Sequence, residues 1–129
     1  MSDLAPFQPW NDIERRIEAA RDGKMTADAL MRAIAEADLF IPSDSDVQSD
    51  GSGYRPILLE QDELSLVPVF TAAARMEKGM APTLMRMNGR AFFLRLPKGF
   101  GVIVNPGFEA QIIMAPEGVQ ALKEDLRAQ

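Results

Sequence analysis

The residues with the most defined chemistry in this chain are Asn105-Pro106-Gly107, which close the β-branched run Val102-Ile103-Val104. Asparagine can bond its own backbone two residues on, proline fixes one torsion, and glycine accepts a positive φ. The triplet is therefore a turn, and the same turn can present Asn105 as a polar contact in a groove. Arg90 and Arg95 carry guanidinium groups, which bind a carboxylate bidentately. Placed beside that groove, they would anchor a small amino-acid-like ligand. Phe100 and Phe108 flank the strand and its turn at loop-like positions. Loops carry function, and aromatic anchors dominate interface energetics. The expectation is that at least one of the two is exposed and belongs to a protein-contact patch, with Arg95 and Lys98 as its charged rim.

Catalytic chemistry is harder to find. The 129 residues include no cysteine and no histidine. That removes disulfides, thiolate nucleophiles, the commonest general base and the commonest metal ligand. No G-x-S-x-G or S-x-x-K is present. Gly99-Phe100-Gly101 lacks the third glycine of a dinucleotide fingerprint and precedes a strand instead of linking strand to helix. Asp46 to Gly51 starts like a calcium loop, but position twelve is Ile57, not glutamate. The carboxylate pairs all sit in charge-rich settings, whereas a catalytic pair needs a desolvated member. No catalytic residue, cofactor or metal is expected.

The formal net charge is −5, against non-specific binding to nucleic acid or an anionic membrane. Phe92 and Phe93 within the basic stretch Arg86 to Lys98 read as core, not as a stacking platform for bases. Between 75 and 98, Arg75, Lys78, Arg86, Arg90, Arg95 and Lys98 face Glu77 alone, while 44–63 is acidic. Such a dipolar surface can orient a partner. No apolar run reaches the roughly 20 residues of a membrane span. Met1 to Trp10, with an early Asp3 and two prolines, is unlike a signal peptide. A cysteine-free chain of this kind points to the cytoplasm.

These residues need elements to hold them. Residues 1–9, with Pro6 and Pro9, read as a loose lead-in, and 10–129 as one domain. Trp10, Ile13, Ile17 and Ala20 recur at helical spacing, with Asp12, Glu14, Arg15, Arg16 and Glu18 facing water. Gly23 ends that helix and Thr26 caps a second, which should fold back on the first. Leu39-Phe40-Ile41 reads as a strand stopping at Pro42. Residues 43–53 form a polar loop, expected to be mobile and to bind no structural metal. Ile57 to Leu59 and Leu64 to Phe70 make a hairpin, with Pro68 marking an edge or bulge. Thr71 should cap a short helix ending at Gly79. Pro82 to Met87 follows as a strand. Asn88 then caps a helix from Arg90 to Leu96, for which a strand is the alternative. Val102 to Val104 is the central strand, Gln111 to Met114 its return arm, and Pro116-Glu117 opens a last helix burying Val119, Leu122 and Leu126.

Taken together, Pro68-Val69-Phe70-Thr71, Asn105-Pro106-Gly107 and Pro116-Glu117 resemble the SseB family, N-terminal domain. The opening helix followed by Leu39-Phe40-Ile41-Pro42 fits as well, so the resemblance spans about residues 10–127. Ala115 stands where that family more often has Ser or Thr. The resemblance implies a bacterial, cytoplasmic α/β (α+β) domain: a small mixed β-sheet with an N-terminal helical hairpin, short intervening helices and a C-terminal helix. The family domain has no settled activity, so no catalytic residue transfers. Longer relatives carry a second domain, and activity needing it is not expected here. The function expected is a non-enzymatic binding or regulatory module contacting another protein or itself. The alternative is an amino-acid-like ligand sensor or an unrecognised enzyme linked to amino-acid metabolism.

Overall fold

Asn11 accepts the amide of Glu14 through its side chain and starts α1 (Asp12–Arg21). Thr26 does the same for the amide of Ala29 and starts α2 (Ala27–Glu36). Both caps satisfy amides that have no partner inside the helix. The computed structural model describes residues 4–44, 55, 57–76, 80–81 and 83–128. Gly23, at φ 76°, turns the chain between the helices, and Ile13, Ile17, Leu30 and Ile34 are buried in one core cluster.

A sheet follows. β1 (Asp38–Ser43) continues through Pro42, where a stop was expected. β2 (Leu59–Gln61) and β3 (Leu64–Val69) form the expected hairpin, turning at Asp62 and Glu63, both at positive φ as a tight hairpin turn requires. A 3₁₀ turn (Ala73–Arg75) leads to β4 (Thr83–Asn88), antiparallel to β1. Asn88 caps α3 (Gly89–Arg95) through Arg90's amide, so the strand alternative for this piece is wrong. Its apolar residues cover more than one face because α2 and α4 flank it. β5 (Gly101–Val104) runs parallel to β3, and β6 (Ile112–Met114) is its antiparallel return arm. α4 (Pro116–Arg127) buries Val119, Leu122 and Leu126 as expected, and its buried Lys123 donates to Leu96 O at 2.6 Å, closing the end of α3.

The two prolines explain why the strands fall into two groups, β1-β4 and β2-β3-β5-β6. Phe40 of β1 and Phe70, the residue after β3, exchange both backbone hydrogen bonds in an isolated antiparallel bridge. Two residues further on, that register sets Pro42 opposite Pro68. Neither has an N–H, so the ladder cannot continue. Both nitrogens point away from the partners that do pair, because alternate residues bond to opposite edges. This is why Pro42 does not break β1, and why Pro68 sits in an internal strand instead of at an edge.

Further expectations change. Thr71 does not cap the 3₁₀ turn, whose first residue has no side-chain cap. Residues 4–9 are not loose: Ala5 donates to Gly107 O at 2.8 Å and accepts from the Glu109 amide at 2.9 Å, and Phe7 is buried. Backbone pairing to the 107–109 turn supplies the order that composition did not reveal. Of the loop expected at 43–53, Ser43 is instead the buried last residue of β1; the rest from 45 on, with the calcium pattern at 46–51, lies outside the described residues, as does Gly79.

The Asn-Pro-Gly turn has Asn105 at φ 54° and Gly107 at φ 90°. A Cβ on Gly107 would meet nothing within 4 Å, so a side chain there costs only backbone strain. Gly107→Val should therefore lower stability by about 1–2 kcal/mol in urea unfolding. A loss under about 0.5 kcal/mol would mean the turn relaxes to another conformation.

Candidate functional site

The turn, the N-terminal strap and the start of α1 converge on one buried ion pair. Glu14 sits three residues after its helix cap and is fully buried, contrary to the water-facing position its spacing suggested. Arg75, delivered by the 3₁₀ turn, meets it bidentately: Nε to Oε2 at 3.0 Å and an Nη to Oε1 at 2.7 Å. The remaining carboxylate capacity takes the Thr71 hydroxyl at 2.6 Å and the Trp10 amide at 2.8 Å. Arg75 also donates to Gln8 O. Burial by itself raises the carboxyl's pKa. Hydrogen bonds from Arg75, Thr71 and the Trp10 amide, with the Arg75 charge, outweigh it and hold Glu14 below its ordinary value.

Asn105 belongs to the same network. It is fully buried, accepts the Thr71 amide at 3.1 Å and donates to the Thr71 hydroxyl at 2.9 Å. The groove contact that the sequence suggested for Asn105 is therefore not what the structure has: the buried side chain is the clasp between the turn and the end of β3. Its αL backbone makes this possible, because the side chain folds back over the strand ends. Asn11 completes the set, donating to Thr71 O at 2.9 Å.

Three rings surround the guanidinium. Its carbon lies 3.5 Å from the centroid of Trp10, 4.4 Å from Phe7 and 5.0 Å from Phe108. Phe7 and Phe108 meet edge to face at 6.3 Å. Trp10, expected on the buried face of α1, precedes that helix and is 55 % exposed. One ring face rests on Arg75 and the rest of the side chain reaches solvent.

The other anticipated site residues scatter. Pro106 is half-buried and Gly107 exposed at the turn, while Phe108 is the half-buried third wall of the Arg75 cage. Phe100 is half-buried against the core. Arg95 and Lys98 are exposed. Arg90 lies elsewhere: it donates to Leu126 O at 2.7 Å and lines a cavity with Arg32 and Glu36. The basic stretch 75–98 is not one surface either, since Arg75 is neutralised by Glu14 and Arg86 pairs with Asp38. The sequence reading missed Glu14, Thr71, Arg75 and Trp10. Its one available signal was Asn11-x-x-Glu14, the spacing of a reciprocal helix cap. Arg75 had none, because its partner is 61 residues away.

Chemically, the cluster is a closed clamp. A general base wants a pKa near working pH and access to substrate. Glu14 is held ionised, fully buried and bidentately paired. Among the described residues, no group of three or more acidic side chains could hold a metal, and no helix is long and apolar enough to cross a membrane.

A family model, SseB protein N-terminal domain, matches residues 13–121. The chain belongs to that family. No curated protein and no solved structure matches it. Within this SseB N-terminal domain, the Pro-x-Phe-Thr and Asn-Pro-Gly segments are the two strand ends that Thr71 and Asn105 join. The motifs are thus a packing contact, and the mixed α/β architecture is the one the resemblance implied.

Proposed function

We propose that this SseB N-terminal domain is a non-enzymatic binding module that acts through protein contacts, with Trp10 as its anchor. The observation that carries this is the ring itself, 55 % exposed and seated 3.5 Å over the Arg75 guanidinium. Such a ring is already ordered, so a partner that covers it immobilises little. Tryptophan is among the commonest interface hot spots. The sealed Glu14–Arg75 pair supports a structural role for the polar cluster, and the charge of −5 supports a protein partner over nucleic acid. The reading includes a cytoplasmic setting, supported by a fold that uses no disulfide.

Immobilised wild-type and Trp10→Ala chains presented to extract of the source cell test it. The wild type should retain a partner that Trp10→Ala loses, while Leu58→Ser, changed at another exposed apolar residue, retains it. Losing the cation–π contact should cost about 1 kcal/mol, so Trp10→Ala stays folded with a melting temperature a few degrees lower. Equal capture by Trp10→Ala, or equal loss by Leu58→Ser, would remove Trp10 as the anchor.

A further inference from the structure

On the far side of the Asn11–Thr71 contact is a cleft of about 400 Å³, where α1, the end of α2, β1 and β4 meet. That is the size of a small-molecule site. Its walls carry both signs of charge, and Arg16 and Glu36 are among the incompletely matched groups. Arg16 bonds Asp12 through Nε alone, at 3.1 Å, leaving both terminal nitrogens without a partner among the described residues. The Glu36 carboxylate, on the last turn of α2, has no hydrogen bond or ion pair among them. The C-terminal end of α2 adds partial negative charge beside it. Arg16 and Glu36 line one cavity, yet they do not pair with each other. Ala33, Ala37 and the half-buried Phe40 add apolar lining to the same cavity.

From this arrangement we infer that the cleft binds a free α-amino acid, its carboxylate on Arg16 and its ammonium on Glu36, with the side chain over Phe40. A guanidinium fork with free N–H groups fits a carboxylate, and an unpaired carboxylate at a helix C-terminus fits an ammonium. A zwitterion supplies both and leaves no net charge in the cleft's apolar part. The site is separate from Arg90 and Arg95, where the sequence placed such a ligand, and its lining does not include Trp10. It is nevertheless wired to it. Asn11 and Thr71 are part of the lining, the Thr71 hydroxyl donates to Glu14, and Glu14 holds the Arg75 beneath Trp10.

Calorimetric titration of the full chain with the twenty L-amino acids, their N-acetyl forms and their amides tests this. At least one free amino acid should bind saturably at one site. Its N-acetyl form, lacking the ammonium, and its amide, lacking the carboxylate, should bind at least tenfold more weakly. Arg16→Gln and Glu36→Gln should each weaken binding at least tenfold with the melting temperature within about two degrees, because both side chains are exposed. Arg15→Gln, an exposed change on the same helix, should bind as the wild type does. No binding by any of the twenty overturns the inference. So does an amide that binds as tightly as its acid, or unchanged affinity in either cleft variant.

Discussion

Replacing Arg75 with methionine should destabilise the protein by about 3–5 kcal/mol, because it leaves the Glu14 carboxylate buried without its counter-charge. The double variant Glu14→Gln, Arg75→Met should recover a large part of that loss, since no charge then remains buried. Urea unfolding of the wild type, both single variants and the double variant gives the coupling directly. A cost under about 1 kcal/mol for Arg75→Met would show that Glu14 finds solvent easily and that the clamp is weak. The pair also sets an acid limit. The folded protein holds the Glu14 pKa below its unfolded value, so its contribution is complete above about pH 4.3 and is lost as pH falls through the folded value. Stability of the wild type should therefore fall more steeply below that pH than stability of the double variant. Parallel acid limbs in the two proteins would remove Glu14 as the cause.

The second large effect concerns the seam between α2 and α3. A Cβ at Gly89 would lie 2.3 Å from Ile34 O and 2.9 Å from Ala35 Cα, both backbone atoms. The Gly89 amide is held there by a 2.7 Å bond to Ala37 O. Gly89→Ala thus cannot be absorbed by a side-chain rotation. The helices must separate, at about 3 kcal/mol, the upper part of the usual range for overpacking. Gly118, inside α4, has open space around it, and Gly118→Ala should instead stabilise by about 0.5–1 kcal/mol. Thermal unfolding of the two alanine variants side by side checks the contrast. If Gly89→Ala melts with the wild type, the close approach of α2 and α3 is wrong.

Local chemistry determined much of this protein. Caps at Asn88 and Thr26, the glycine after α1, the apolar spacing of α4 and the Asn-Pro-Gly turn each act over a few residues, so the sequence shows them. The family-like motifs were visible for the same reason. Partnerships across the chain were decided only by the tertiary structure. Pro42 and Pro68 look like strand breakers until the Phe40–Phe70 bridge sets them opposite each other. Glu14 looks solvent-facing because α-helical spacing assigns it to the polar side. It is buried because Arg75, Thr71 and the Trp10 amide match every oxygen it brings, which makes burying a charge tolerable. Trp10 looks like core for the opposite reason: hydrophobicity predicts burial, but its position ahead of α1 stacks it outside the guanidinium that Glu14 holds in place. The candidate sites rest on these long-range pairings, which leave no mark on periodicity or composition.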